Sequence, residues 1–172
     1  MSIPANGAAR RGPVSRPRQI DALDRSIVEA LQENGREAFR RIAAQLGVSE
    51  ATVRARYGRL CADDILQVVA VTNPLGLGFE ATGMVGVRTA GPPEPVAEAV
   101  SAWPEASYVL VTAGQFDLLV EIVCRDRREL LDVTNRMRAL DGVASTETFL
   151  YLQMVKQLYD WGTHVDDGAG EP

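Results

Sequence analysis

Apolar positions recur at helical spacing over the first third of the chain and in strand-like runs over the rest. Leu23, Ile27 and Leu31 stand four apart, and Asn34-Gly35 then supplies a stop, so a first helix is expected there. Phe39, Ile42, Ala43 and Leu46 share one face of a second, shorter helix. Gly47 permits a left-handed turn, and Ser49 is a good N-cap for a third helix with Val53, Tyr57 and Leu60 as its inward stripe. The short Gly47-Val48-Ser49 link has the length and the glycine of a helix-turn-helix.

From Ile65 the period changes. Residues 66–72 (LQVVAVT) form a β-rich run closed by Asn73-Pro74. Beyond it the pattern predicts strand 81–89, helix 95–103, strand 107–113, strand 116–124, helix 127–140 and strand 144–157. Val96, Val100 and Trp103 mark the inner side of one helix, and Leu130, Thr134 and Met137 that of the other. Gly114-Gln115 between two strand runs is a hairpin signal. The order βαββαβ is the ferredoxin-like arrangement, with helices over one sheet face. Leu119, Val123, Leu150 and Leu152 make the other face apolar, and a second copy of the chain is the simplest cover for it. The expected fold is therefore α+β. A disordered arm (1–19) precedes a three-helix, winged-helix-like helix-turn-helix domain (20–64). A β-strand linker (65–80), the ferredoxin-like βαββαβ domain (81–159) and a disordered acidic tail (160–172) follow.

Charge sharpens this division. The whole chain of 172 residues carries a net −5. Residues 1–60, however, hold eleven Arg against six Asp+Glu, while the remainder holds seven Lys+Arg against seventeen Asp+Glu. A basic half joined to an acidic half points to a nucleic-acid-binding part linked to something else. No run nears the roughly 18 apolar residues of a membrane span, and no secretory signal is recognisable, so a cytoplasmic address without membrane contact is expected. Cys61 and Cys124 are too few and too far apart for a disulfide framework or metal cluster.

Catalytic chemistry finds little support. His164 is the only histidine and falls in the tail, which leaves no Ser-His-Asp or Cys-His arrangement for the folded part. Gly76-Leu77-Gly78 misses the dinucleotide-binding spacing, and there is no phosphate-binding Gly-Lys-Ser/Thr loop. Neither enzyme activity, cofactor nor metal is expected. The third helix is more informative, because a recognition helix offers its N-terminal residues to base edges. Ser49, Glu50, Ala51, Thr52 and Arg54 are the outward residues there. Thr52 and Arg54 suit base hydrogen bonds, Ala51 a thymine methyl and Glu50 a cytosine amine, while Arg40, Arg56 and Arg59 suit phosphates. In the C-terminal half, strand alternation puts Phe116 with Leu118, Val120 and Ile122, and Asp117 on the opposite face. A carboxylate there is most simply a turn feature. Its functional alternative is a zwitterion site built from Gly114, Gln115, Phe116 and Asp117, with hydroxyls from Thr146 and Thr148.

These residues together resemble the Lrp/AsnC, or feast/famine, transcriptional regulators over nearly all of 20–158. The opening helix resembles the family's through Ile20-Asp21-Ala22-Leu23-Asp24, Ile27, Leu31 and Asn34-Gly35-Arg36. Ile42-Ala43, Leu46-Gly47-Val48-Ser49, Val53, Arg56 and Arg59-Leu60 resemble its helix-turn-helix. Gly114-Gln115-Phe116-Asp117-Leu118, Thr146-Glu147-Thr148 and Val155-Lys156 resemble its sensing domain. The resemblance implies double-stranded DNA as partner, dimers held through the βαββαβ domain that close into octameric rings, and amino-acid effectors bound between dimers near the Gly-x-x-Asp hairpin. It also implies control of amino-acid metabolism or transport genes. Three positions depart from the family pattern: Asp64 stands for a usual glycine, Tyr57 for an aliphatic residue, and Gly58 sits mid-helix. An architectural DNA-binding protein without effector, or a metabolite-binding regulatory subunit, are the competing expectations.

Overall fold

The structure, a computed structural model, describes residues 20–157. The expected disordered arm and tail, with His164, lie outside the described residues. Two compact units divide at Ala70/Val71.

The first unit contains α1 (Ala22–Glu33), α2 (Phe39–Leu46) and α3 (Glu50–Ala62). Asp21 caps α1 reciprocally: Asp24 N–H donates to Asp21 Oδ1 at 2.9 Å and Asp21 N–H to Asp24 Oδ2 at 3.2 Å. Gly47 ends α2 at φ 67°, where a side chain would be strained, and Ser49 caps α3 by accepting Thr52 N–H at 3.0 Å. Ile27, Leu31, Ile42, Ala43, Val53 and Leu60 form the buried core, with Phe39 and Tyr57 packed on its margin. Beyond α3 the chain turns at Asp64, whose φ of 55° is the left-handed value expected where a glycine is usual.

Gly58 lies in α3 with nothing within 4 Å of the place a Cβ would occupy. Gly58→Ala is expected to stabilise this unit by about 1 kcal/mol, read as a rise in the urea midpoint at unchanged slope.

The expected strand over 66–72 does not form. Among the described residues it has no strand to pair with, and a strand exists only through its ladder. Val68, Val69 and Val71 are exposed, and a single 3₁₀ turn (Leu75–Leu77) follows. The linker is thus irregular chain rather than a β-strand.

The second unit runs β1 (Ala81–Thr89), α4 (Glu94–Ser101), β2 (Ala106–Val111), β3 (Leu118–Cys124), α5 (Arg127–Arg138), β4 (Val143–Leu150). Its sheet is antiparallel in the order β2-β3-β1-β4, the ferredoxin-like topology expected. Val85, Val87, Leu118, Val120 and Ile122 lie on one face, covered by Val96 and Val100 of α4 and by Val133 and Met137 of α5. The last strand is shorter than the predicted 144–157: β1 begins at Ala81 and already pairs Gly83 with Leu150, so little partner remains for the residues beyond.

Candidate nucleic-acid and effector sites

The first turn of α3 is exposed, capped and rigidly placed on the core through Val53. Arg40 of α2, Glu50, Ala51 and Arg54 are exposed, as the sequence led us to expect. The Thr52 hydroxyl lies 2.8 Å from the Ser49 hydroxyl, so both take part in the cap. Arg54 Nη2 donates to Glu50 Oε1 at 2.7 Å, one helical turn back, and its guanidinium lies 5.3 Å from the centre of the Phe39 ring.

Arg56 and Arg59 behave differently from the expected phosphate contacts. Both reach across to α1. Arg59 Nη2 donates to Asp24 Oδ2 at 2.5 Å, and Arg56 Nη1 donates to Asp24 Oδ1 at 3.1 Å and to Asp21. Asp24 is only 1% exposed, and a buried carboxylate demands such partners. The α1–α3 junction therefore turns these two arginines toward α1, a role no local pattern around α3 reveals.

Asp21 has its carboxyl held below the ordinary 3.8, first by the Asp24 N–H it accepts and then by Arg56. A carboxyl depressed on folding contributes stability that is complete above its unfolded value and disappears as pH falls through the lower folded one. Acid unfolding of this unit, followed by far-UV circular dichroism below pH about 4, is expected to begin at a higher pH in Asp21→Ala than in the parent.

In the second unit, β2 and β3 are joined by a tight hairpin. Thr112 N–H donates to Asp117 O at 2.9 Å, Thr112 Oγ1 donates to Phe116 O at 2.7 Å, and Gly114 takes φ 149°, a region open chiefly to glycine. The sequence placed Phe116 on the core face with Leu118; its ring instead lies on the opposite, open face. It covers Gly86, where a Cβ would come within 2.7 Å of the ring. Phe149 meets it edge-on at 6.1 Å, and the Arg88 guanidinium stands 5.7 Å from its centre. Strand alternation stops at Leu118, so it cannot be carried back into the turn. Asp117 uses its main-chain N–H on Val87 O and its Oδ2 to accept Thr89 N–H at 2.8 Å, pinning the end of β1.

Thr146 and Thr148 do not join this group. Their partners across β1 are Val87 and Val85, both core residues, so the two threonines face α5. Thr146 Oγ1 accepts Arg138 Nε at 2.9 Å. Thr148 Oγ1 is buried with no hydrogen-bond partner among the described residues. An isosteric Thr148→Val removes that orphaned hydroxyl and is expected to raise stability by about 1 kcal/mol, measured by urea denaturation.

The open face also carries Leu110, Leu119 and, near its middle, Glu121, which accepts Ser107 Oγ at 2.8 Å and Tyr151 Oη at 3.1 Å. Burial and the Glu121 charge push the Tyr151 phenol up to about 12. On the covered side, burial pushes the Cys124 thiol up to about 11, which leaves it a packing residue. An open depression of about 420 Å³ along α5 is lined by charged side chains, among them Glu105, Arg125, Glu129 and Arg136. These are largely paired with one another, Arg136 with Glu105 at 2.8 Å and Arg125 with Glu129 at 2.8 Å. Among the described residues, no cluster of three or more metal-ligating side chains occurs and no helix is long and apolar enough to cross a membrane.

Sequence comparison places both units. The AsnC-type helix-turn-helix domain matches residues 20–60, and the Lrp/AsnC ligand binding domain matches residues 82–161. An uncharacterized HTH-type transcriptional regulator of Pyrococcus horikoshii is 32% identical over 157 residues, covering 87% of this chain and 94% of its own. Escherichia coli AsnC has a similar structure, with a TM-score of 0.72 at 28% identity over 83% of this chain and 99% of its own. A transcriptional regulator of Neisseria meningitidis, solved as a complex with L-Met, shares the fold with a TM-score of 0.70 at 22% identity, over 81% of this chain and 94% of its own. With a DNA-reading three-helix unit followed by a βαββαβ sensing unit, each matched in that order, the chain belongs to the Lrp/AsnC family of transcriptional regulators.

Proposed function

We propose that the chain acts in the cytoplasm as a homodimer that reads two DNA half-sites with paired α3 helices and responds to an amino acid held by its βαββαβ units. The observation that carries DNA reading is the first turn of α3, where Ser49 to Arg54 stand outward on a capped helix seated on its core. Arg54, Thr52 and Ala51 address bases, Glu50 does so with the oxygen that Arg54 leaves unengaged, and Arg40 addresses phosphate. Arg56 and Arg59 support this surface by locking α3 to α1. Two half-sites give the affinity that one short helix lacks.

Dimerisation through the open sheet face is supported by its apolar residues, of which Phe149 is 45% exposed and Tyr108 54%. Dimers assemble further into octamers. The effector reading is supported by the match of the second unit to a ligand-binding domain. The Neisseria regulator that shares this fold was solved as a complex with L-Met, a zwitterion with a short apolar side chain. Gly114, Gln115, Phe116 and Asp117 form the effector-proximal loop, where hairpins of neighbouring copies meet. Thr146 and Thr148, which face α5, lie outside this loop.

Fluorescence anisotropy with DNA from the protein's own promoter region, at two salt concentrations, tests the DNA role. A specific complex that weakens steeply with salt is expected, and no binding at low salt would refute it. Thermal-shift measurement against the twenty amino acids tests the sensor. A rise in melting temperature with a subset of them is expected, whereas a flat response to all twenty would favour a DNA-shaping protein without an effector.

A further inference from the structure

A series of neighbouring side chains links one arginine of α3 to the helix-turn-helix core. Tyr57 packs on the margin of the helix-turn-helix core, and its ring lies 5.0 Å from that of Phe39, tilted by 51°. Phe39, the first residue of α2, carries the Arg54 guanidinium 5.3 Å from its own ring centre. Glu50 then takes one Arg54 N–H at 2.7 Å. Core, ring, ring, guanidinium and carboxylate thus form a continuous series running from the interior to the exposed recognition surface, and the Arg54 side chain at its outer end remains 54% exposed.

We propose that Arg54 reads guanine and that Phe39, backed by Tyr57, and Glu50 are positioning residues holding its guanidinium in the reading orientation. A guanidinium has five N–H donors in a planar fork, and Glu50 takes one, which leaves enough for the paired acceptors O6 and N7 of guanine. A long side chain free to rotate would lose rotamer entropy on reaching a base edge. One held over an aromatic ring and tied to a carboxylate has lost part of it already, so less is lost at binding. The arrangement also gives a reason for an aromatic residue at Tyr57, where the family pattern has an aliphatic one: a second ring fixes the first. Phosphate-contacting arginines need no such support, since a phosphate accepts from many directions.

The assignment depends on sequence-specific DNA reading by α3, and selection of binding sites from random DNA by the full chain separates the two. The parent is expected to select half-sites with guanine at one fixed position. Arg54→Ala should make that position alone degenerate, with discrimination falling by about tenfold or more. Phe39→Leu should lower discrimination there roughly two- to fivefold, whereas Phe39→Tyr, which keeps an aromatic face, should retain it. In an Arg54→Ala background, Phe39→Leu should change nothing further at that position. Melting curves of Phe39→Leu and Phe39→Tyr establish that both fold. A parent that selects no sequence overturns DNA reading and the guanine assignment together. A parent motif left intact by Arg54→Ala, with affinity falling equally for all sequences and a shallower salt slope, overturns the guanine assignment alone and makes Arg54 a phosphate contact. Equal effects of leucine and tyrosine at position 39 overturn the positioning role.

Discussion

Replacing both Arg56 and Arg59 by methionine is expected to unfold the helix-turn-helix unit at temperatures where the parent is fully folded. Asp24, 1% exposed, keeps its carboxylate beneath α1 because Arg59 Nη2 and Arg56 Nη1 donate to its two oxygens. A single arginine loss leaves the other as partner, so each single variant should be mild. Losing both leaves a buried carboxylate with only the Asp21 N–H, and breaking a buried ion pair from one side costs about 3–5 kcal/mol. For a unit this small, such a cost means a fall in melting temperature of about 15 °C or more. Adding Asp24→Leu removes the orphaned charge and should restore most of the loss, since apolar replacement of a whole buried ionic network is often neutral. The rescued triple variant also separates structure from contact. If Arg56 and Arg59 serve only to hold α3 on α1, its DNA affinity returns with its fold. If it folds but binds all DNA weakly, with a salt slope reduced by one or two, the two arginines also meet phosphates. A double variant as stable as the parent would show that the junction bears no stability.

That network marks where reading from sequence stopped. The helices were legible because each buries one face, and burial on one face imposes a period: Leu23, Ile27 and Leu31 could stand four apart for no other reason. The cap at Ser49 followed from local chemistry, and the left-handed turn at Asp64 from the glycine that the family resemblance led us to expect there, whereas the reciprocal cap at Asp21 emerged only with the structure. The alternation of β1 and β3 and the hairpin at Gly114 were enough to give the βαββαβ topology. What was missed depended on residues distant in sequence. Arg56 and Arg59 look like any exposed arginines until Asp24, 32 and 35 residues earlier, is placed beneath them. One signal was present: Asp24 stands three before Ile27 on the apolar face of α1, and a carboxylate on such a face calls for a cation from elsewhere. Residues 66–72 read as a strand because their composition is β-rich, but composition supplies no pairing partner. Phe116 was assigned to the wrong face because a period of two was extended across a turn. Thr146 and Thr148 were drawn toward the hairpin by their shared face, when register against Val87 and Val85 puts that face under α5.

The largest effect on function is expected from Leu119→Lys. Leu119 lies on β3, an interior strand, directly opposite Leu110 on the open face of the sheet. A lysine there points away from the α4–α5 core, and Glu121, two residues on and on the same face, offers it a partner of opposite charge, so the isolated protomer should fold with little change in its melting profile. The proposed dimer fares differently. A two-fold interface uses the same patch from both copies, so one substitution places two ammonium groups in one apolar contact. Desolvating them without new partners costs several kcal/mol each. Sedimentation should therefore show a monomer at concentrations where the parent is a dimer. DNA affinity should follow: two tethered readers gain an effective concentration in the millimolar range for the second half-site, and losing it weakens specific binding by about 10²–10⁴-fold. The surviving single contact should also show a salt slope near half that of the parent, because half the phosphates are met. If Leu119→Lys sediments as the parent does and keeps its operator affinity, the copies associate through some other surface, and the open face of the sheet is left for another occupant.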